Sequence, residues 1–238
     1  FVDHDVDEGE ACRQPAGFII RLATIADAAQ LLELESFWNS DVLSANQETL
    51  ERRLSQHPVG QFVVASHDGT LLGAMYTQRV QTYEQMLTAK RESELDLHHP
   101  GGRVVQLLGV VQRPGTNVGK VLRDYVLVLS RLDSTVDEAC GITRCRSYDP
   151  ACGQSHREHV DALTDPGLLF HYEAGAAIGE LVPDYRPRDT MNLGFGVMIR
   201  YSTLHSGRLD APVAQISRGG PSVATTANTR GDESSLST

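Results

Sequence analysis

The fold is decided by residues 103–129, RVVQLLGVVQRPGTNVGKVLRDYVLVL. The first part of this stretch is an apolar run, which predicts a strand over Arg103–Val111. A glycine-bearing turn follows, and beyond it apolar side chains recur at the spacing of a helix with one buried face. The residues on that face are Val118, Leu122, Tyr125, Val126 and Leu129. A strand, a turn and a long amphipathic helix in succession indicate a helix that packs on a sheet.

Strand and helix patterns alternate on both sides of this stretch. The upstream segments are a strand (Phe18–Leu22), a helix with a capping box at Thr24–Asp27, a helix capped by Ser44, and a hairpin of Gln61–Ser66 and Leu71–Arg79 around Asp68-Gly69. The downstream segments are a strand (Ala139–Arg144), a short helix from Asp165-Pro166 to Gly175, and two strands (Ile178–Val182 and Gly196–Ser202). The order βααβββαβαββ predicts an α/β fold with a mixed central sheet flanked by helices.

The composition narrows the class of protein. The 238 residues carry 21 basic and 31 acidic side chains and a net charge of −10, which argues against binding to the phosphate backbone of nucleic acids. No apolar run approaches the ~20 residues of a membrane span. The four cysteines lack the paired spacing of a secreted disulfide framework, so we expect a cytoplasmic protein.

Three segments of the chain differ in composition. Residues 1–16 are acidic and show no apolar periodicity, so we interpret them as a linker. Residues 17–203 contain all the periodic segments and form the predicted domain. Residues 204–238 are rich in small and polar side chains, which is typical of a flexible linker. Because the chain begins at Phe1 and shows no signal peptide, we expect a domain excised from a larger cytoplasmic protein.

The turn at Gly115–Lys120 invites comparison with the phosphate loop of nucleotide-binding proteins. A phosphate loop needs four residues between its glycines, and serine or threonine after its lysine. Here three residues separate Gly115 from Gly119, and Val121 follows Lys120. We therefore interpret the turn as the start of a helix whose free N–H groups favour an anion.

The strand, turn and helix together resemble the acyl-CoA-binding element of the GNAT acetyltransferase superfamily. In that family the turn reads Gln/Arg-x-x-Gly-x-Gly/Ala, and its amides hold the pyrophosphate of coenzyme A. Gly119 matches this pattern here, whereas Pro114 lacks a donor and Asn117 adds bulk. The resemblance implies a GNAT fold, and the two departures argue against free acyl-CoA as the acyl source.

Three further segments narrow the resemblance. They are Gly141–Cys145 (GITRC), Asp165–His171 (DPGLLFH) and Val182–Pro187 (VPDYRP). In this order, over about Ile19 to Tyr201, they are similar to the GNAT-like decarboxylase domains in loading modules of modular polyketide synthases, of the curacin and gephyronic acid type. That similarity implies decarboxylation of a malonyl-type thioester on an acyl carrier protein to make a starter unit. It also implies a carrier protein beyond the 204–238 linker and neighbouring polyketide synthase domains as partners.

The resemblance also implies roles for particular residues. Thr143 and His171 are the expected catalytic residues, because decarboxylation places negative charge on the thioester oxygen and hydrogen-bond donors stabilise that enolate. His171 is expected either to orient the departing carboxylate or to donate a hydrogen bond or a proton to the enolate. Arg186 is expected to pair with the substrate carboxylate or to hold the His171 region, and Trp38 to lie near the acyl chamber. The residues expected to bind the carrier protein and its phosphopantetheine are Arg113, Gly119, Lys120 and Arg123.

Two other functions stay open. One is an S-acyltransferase that moves an acyl group from coenzyme A to the carrier phosphopantetheine, and the other is a non-catalytic GNAT module for docking. The α-methylation of the substrate also stays open among malonyl, methylmalonyl and dimethylmalonyl. No permanently bound cofactor is expected. No metal is expected either, because the possible zinc ligands match no paired-ligand spacing. Those ligands are Cys140, Cys145, Cys152, His156 and His159.

Overall fold

Seven strands form one mixed sheet in the computed structural model, which describes residues 17–38, 40 and 42–203. They are β1 (Phe18–Leu22), β2 (Gln61–Ser66), β3 (Leu71–Val80), β4 (Val104–Gln112), β5 (Glu138–Thr143), β6 (Ala177–Val182) and β7 (Gly196–Ser202). Their order in the sheet is β1-β2-β3-β4-β5-β7-β6. β4 and β5 pair in parallel, and the other neighbours pair antiparallel. The mixed α/β sheet predicted from the sequence is confirmed.

Six α-helices accompany the sheet in the described part of the chain. They are α1 (Ala28–Ser36), α2 (Gln47–Gln56), α3 (Glu84–Leu87), α4 (Val118–Leu132), α5 (His156–Ala162) and α6 (Pro166–Tyr172). α3 and α5 are not predicted from the sequence, because each is short and carries few apolar side chains. The expected cap of α2 at Ser44 is wrong. Asn46 caps this helix instead, since its side chain accepts a hydrogen bond from the Thr49 amide at 2.9 Å.

The helices cover both faces of the sheet. Because successive side chains of a strand point to opposite faces, β2 contributes to two separate cores. On one face α4 packs through Leu122 and Val126 against a core that includes Phe62. On the other face α1 and α2 cover Val63 and Ala65. The predicted stripe of α4 is therefore confirmed at Val118, Leu122 and Val126, which are buried, whereas Leu129 is exposed because it lies at the edge of that face.

The sheet opens between β4 and β5. These parallel strands pair from Val104 and Glu138 as far as Leu107 and Gly141. Both strands continue beyond that last pair without pairing to each other. A gap therefore forms in the middle of the sheet, where side chains from both helix layers can approach one another.

The longest helix among the described residues is α4, with 15 residues. A membrane crossing takes about 20 apolar residues. Within the described ranges no helix is both long enough and apolar enough to span a bilayer. The two predicted linkers, residues 1–16 and 204–238, lie outside the described residues.

Candidate active site

Two cavities meet at the gap between β4 and β5. The inner cavity has a volume of about 120 Å³ and is lined from the sheet, α1 and α2. The outer pocket, of about 420 Å³, lies against the turn before α4 and the first residues of α6. Four residues line both spaces: Trp38, Val110, Thr143 and His171. The structure therefore brings three of the expected site residues to this junction.

Thr143 is the last residue of β5 and lies two positions beyond the end of the β4–β5 pairing. On the other side of the strand its backbone pairs with Val197 of β7, which fixes its place in the sheet. No described residue hydrogen-bonds to the Thr143 hydroxyl. This hydroxyl is therefore available to donate to a group bound at the junction.

His171 lies in the last turn of α6, and both ends of that helix are anchored. At its start, the Asp165 side chain accepts two hydrogen bonds from amides of the first turn. Near its end, Arg123 of α4 donates to the Phe170 carbonyl and lies 4.5 Å from the centre of the Phe170 ring. Arg123 is only 4% exposed, so it holds α6 against α4 and does not present its charge to solvent.

The surroundings of His171 keep its ring neutral. Burial, with a smaller contribution from the charge of Arg123, lowers the pKa of His171 to about 3. Its Nδ1 lies 2.7 Å from the hydroxyl oxygen of Tyr201, whose own pKa is raised by burial. We assign the phenol as the donor to Nδ1, because the phenol keeps its proton and is a stronger donor than acceptor. The ring proton then lies on Nε2, so His171 offers a neutral N–H at the junction.

The neutral state of His171 makes the stability of the fold depend on pH. An unfolded chain protonates this histidine below about pH 6.5, whereas burial lowers its folded-state pKa to about 3. The stabilisation is therefore fully present above pH 6.5 and is lost progressively as the pH falls below it. Between pH 7 and pH 5 we expect the free energy of unfolding to fall by about 2 kcal/mol more in the wild type than in His171→Phe. Urea unfolding at both pH values measures this difference, and equal losses would contradict it.

Arg186 and Trp38, the two expected positioning residues, both line the inner cavity. The Arg186 guanidinium donates to the Val42 carbonyl at 3.3 Å and lies 5.7 Å from the centre of the Tyr185 ring. Burial lowers the pKa of Arg186. Trp38 is half-buried and lies in the turn after α1, because that helix ends at Ser36.

The inner cavity also contains residues that were not identified from the sequence. Beside Arg186, which was expected, the cavity is lined by three further arginines, Arg53, Arg91 and Arg144. Arg144 forms two hydrogen bonds with Asp189, at 2.8 and 3.1 Å. Arg53 lies between Leu50 and Leu54 on the buried face of α2. A charged residue among the apolar positions of that face is the sequence feature that could have identified Arg53 as a site residue. Tyr201, on β7, carried no comparable signal.

The turn before α4 is closed by a side chain of the same segment. The Gly119 amide donates to the Gln112 side-chain oxygen at 2.6 Å. A Cβ at Gly119 would lie 2.9 Å from that oxygen, so a side chain there would displace the end of the Gln112 side chain. Asn117 precedes the helix with a φ of +53°. The amide expected to bind a phosphate is therefore already satisfied within the chain.

The charged residues near this turn do not form one exposed patch. Arg113 pairs with Glu33 at 2.9 Å, and Arg123 is buried as described above. The Lys120 side chain is 61% exposed and lines the outer pocket. Its ammonium lies 3.0 Å from a carboxylate oxygen of Glu173, the residue that follows α6. Arg146, not identified from the sequence, is exposed on the same pocket. Lys120 and Arg146 are thus the exposed cations of this pocket among its described lining residues.

One cluster has the residue types of a metal site. Ligand atoms of Cys145, His159 and Asp165 lie within 4.8 Å of one another. Burial and the charge of Asp165 raise the pKa of Cys145 to about 12, so the thiol is protonated. Asp165 already accepts hydrogen bonds from the Ser147 amide at 2.7 Å and the Ser147 hydroxyl at 2.9 Å. Since zinc binds thiolate sulfur and carboxylate lone pairs, the geometry favours a hydrogen-bonded cluster.

No protein-family model and no curated protein matches the chain, whereas solved structures do. The GphF GNAT-like decarboxylase, in complex with isobutyryl-CoA, is 32% identical, with a TM-score of 0.73 over 77% of this chain and 98% of that one. The loading GNATL domain of CurA from Lyngbya majuscula is 31% identical, with a TM-score of 0.69 over 78% and 98%. A GNAT-family acetyltransferase from Streptococcus pneumoniae, at 11% identity and a TM-score of 0.51 over 79% and 99%, shares the fold alone.

These likenesses confirm the resemblance carried by the three sequence motifs. The two GNAT-like domains are both more than 30% identical to this chain and are covered almost completely by it. The overall fold is shared with a GNAT-family protein of much lower identity. The chain has the GNAT fold and belongs to the family of GNAT-like decarboxylase domains of polyketide synthase loading modules.

Proposed function

We propose that this domain decarboxylates a malonyl-type thioester carried on the phosphopantetheine of an acyl carrier protein, and so generates a starter unit. The observation that carries the proposal is the junction of the two cavities, which both Thr143 and His171 line. The Thr143 hydroxyl, to which no described residue hydrogen-bonds, and the neutral Nε2–H of His171 are two uncharged donors in a partly buried site. Such donors suit the negative charge that develops on a thioester oxygen.

The reaction breaks the bond between the α-carbon and the carboxylate carbon. Carbon dioxide leaves, and the bonding electron pair forms an enolate whose charge lies mainly on the thioester oxygen. In our proposal Thr143 and His171 donate hydrogen bonds to that oxygen, more strongly as its charge grows. The α-carbon then takes up one proton, which completes the product thioester.

The outer pocket is the proposed path of the pantetheine arm. It leads from the surface to the junction, and Lys120 and Arg146 are exposed along it. Two cations suit the single phosphate of a carrier-bound arm. The Gly119 amide, which would bind the pyrophosphate of coenzyme A in other GNAT proteins, is taken by Gln112. This closed turn supports a carrier-bound substrate over free acyl-CoA.

Two observations bear on the competing functions and on the substrate. An open inner cavity and an open outer pocket beside His171 support an enzyme over a docking module. The GphF relative was solved with isobutyryl-CoA, and loss of carbon dioxide from a dimethylmalonyl thioester would leave the same acyl group. We therefore include methylated malonyl groups among the proposed substrates of this domain.

Removal of the Tyr201 hydroxyl tests whether this hydroxyl fixes the tautomer of the His171 ring. Tyr201→Phe is expected to lower kcat by about tenfold with little change in KM, because Nδ1 loses the donor that keeps the ring proton on Nε2. Nitrogen NMR of the histidine ring reports the tautomer, and carbon dioxide release gives kcat and KM. Tyr125→Phe, on the surface of α4 that packs on Phe62, is a matched control and should retain wild-type kcat. An unchanged tautomer and an unchanged kcat in Tyr201→Phe would refute this role.

The function itself is tested by intact-mass spectrometry of a loaded carrier protein. Carrier protein bearing malonyl, methylmalonyl or dimethylmalonyl phosphopantetheine is incubated with the domain, and a loss of about 44 Da, one carbon dioxide, is expected from at least one of them. The same carriers without the domain measure the spontaneous reaction. No loss from any of the three would refute decarboxylation. Acylation of an unloaded carrier by acyl-CoA would instead support the S-acyltransferase.

A further inference from the structure

Two of the four arginines of the inner cavity have an acidic partner within the chain. Arg91 pairs with Glu94 and also donates to the Leu108 carbonyl at 2.8 Å. Arg144 pairs with Asp189 through two hydrogen bonds. The charges of these two guanidinium groups are therefore balanced by residues of the fold itself.

The other two arginines, Arg53 and Arg186, form no ion pair with any residue in the described ranges. Arg53 is 3% exposed, and its Nε–H is buried without a hydrogen-bond partner among those residues. Its guanidinium stacks 4.5 Å from the centre of the Tyr76 ring. Glu35 is the one carboxylate among the residues that line the cavity, and it accepts a hydrogen bond from the Ala45 amide at 2.7 Å.

The cavity therefore holds more positive charge than the surrounding protein neutralises. A buried guanidinium without an anion is costly, because it has lost its water and gained no partner. The pKa of Arg91 is lowered to about 9, mainly by burial and to a smaller extent by the neighbouring charges of Arg186 and Arg53. One additional negative charge in the cavity would relieve this repulsion.

We propose that Arg53, together with Arg186, binds the carboxylate of the acyl group and thereby selects carboxylated over plain acyl thioesters. This inference rests on the proposed function. When the thioester oxygen lies at the junction, beside Thr143 and His171, the far end of a malonyl group enters the inner cavity. There a carboxylate meets the guanidinium groups of Arg53 and Arg186, for which the described residues provide no ion-pair partner. The planar fork of arginine matches the two oxygens of a carboxylate.

This contact differs in kind from the contacts at the thioester. The carboxylate becomes neutral carbon dioxide as its bond to the α-carbon breaks, so its attraction to Arg53 is strongest before the reaction. Loss of Arg53 is therefore expected to raise KM by about ten- to hundredfold without lowering kcat, because a contact that is stronger in the bound substrate than in the transition state does not speed the chemical step. A residue that only supports the fold would not divide its effect in this way.

The test uses two unreactive probes that differ only in the carboxylate. They are malonyl and acetyl pantetheine in which nitrogen replaces the thioester sulfur, and their Kd values are measured by calorimetry. We expect the wild type to prefer the malonyl probe, and Arg53→Gln to lose about ten- to hundredfold of that preference while it binds the acetyl probe normally. Arg53→Lys keeps the charge, so its preference for the malonyl probe should lie between the preferences of the wild type and of Arg53→Gln. Arg52→Gln is the matched control, because Arg52 is exposed on the same helix and pairs with Asp96.

The outcomes separate this inference from the proposed function. An equal preference in Arg53→Gln and wild type, or no preference in the wild type, would overturn the role of Arg53. So would an Arg53→Lys variant as weak as Arg53→Gln, since charge would then not be the selecting property. Wild-type carbon dioxide release from malonyl carrier protein is measured in parallel. Its absence would refute the decarboxylase, whereas the two Kd values would still report whether the cavity selects a carboxylate.

Discussion

His171→Phe is expected to lower kcat for carbon dioxide release by about 10²- to 10³-fold, with a much smaller change in KM. Phenylalanine keeps a ring of similar size on α6 but has no N–H to direct at the thioester oxygen. The donor matters more as the enolate forms than when the substrate binds, so its loss acts mainly on kcat. The measurement is the rate of carbon dioxide release from loaded carrier protein under saturating and limiting substrate.

The control for this variant is His99→Phe, which makes the same change at an exposed histidine that lines neither cavity. It should retain the kcat and KM of the wild type. His171→Asn, which restores a neutral N–H on a shorter side chain, is expected to recover part of the lost rate. A His171→Phe enzyme with kcat within about threefold of the wild type would remove His171 from the catalytic site.

Thr143→Val is expected to lower kcat by about 10²-fold. Valine has the same shape as threonine and favours strands, so the pairing of β5 with Val197 of β7 should survive the change. The one loss is a hydroxyl that no described residue uses. Thr143→Ser keeps the hydroxyl and should retain most of the rate. If Val and Ser variants lost equal activity, the methyl group and not the hydroxyl would be the important part of Thr143.

The double variant of Thr143→Val and His171→Phe adds a second criterion. If both side chains donate to one oxygen, their effects on kcat should not multiply, because the remaining donor works less well alone. Independent effects would instead place the two donors on different atoms of the substrate. Rates of the two single variants and the double variant are sufficient to decide between these arrangements.

Much of the fold could be predicted because its elements carry their own signals. β1, β2 and β7 have the predicted bounds, since each is a short apolar run between turn residues. α4 follows from its single buried stripe. α5 could not be found from periodicity, because its stability depends on the cap of Ser155 and on contacts with the rest of the fold. For the same reason the cap of α2 was predicted at Ser44, whereas Asn46 caps the helix in the structure.

The candidate site could be predicted only where a motif marked it. Thr143 and His171 each lie in a short segment with a family resemblance, and they remain proposals for the catalytic roles. Tyr201 and Arg53 could not be connected with them, because both are distant from them in sequence and come near only in the fold, Tyr201 through its hydrogen bond to His171 and Arg53 through the shared inner cavity. The expected basic patch depended on exposure, and the sequence does not show that Arg123 is buried under Phe170.

The hydrogen bonds of Asp165 have a consequence for how the two proposed donors are aligned. One carboxylate accepts from the first turn of α6, which carries His171, and from Ser147, in the segment that follows Thr143. The distance between the donors is therefore set by a shared anchor that lies outside the cavities. The alignment can be lost through a residue that never meets substrate. Sequence changes around Asp165 are for this reason constrained by the chemistry of the junction and not by stability alone.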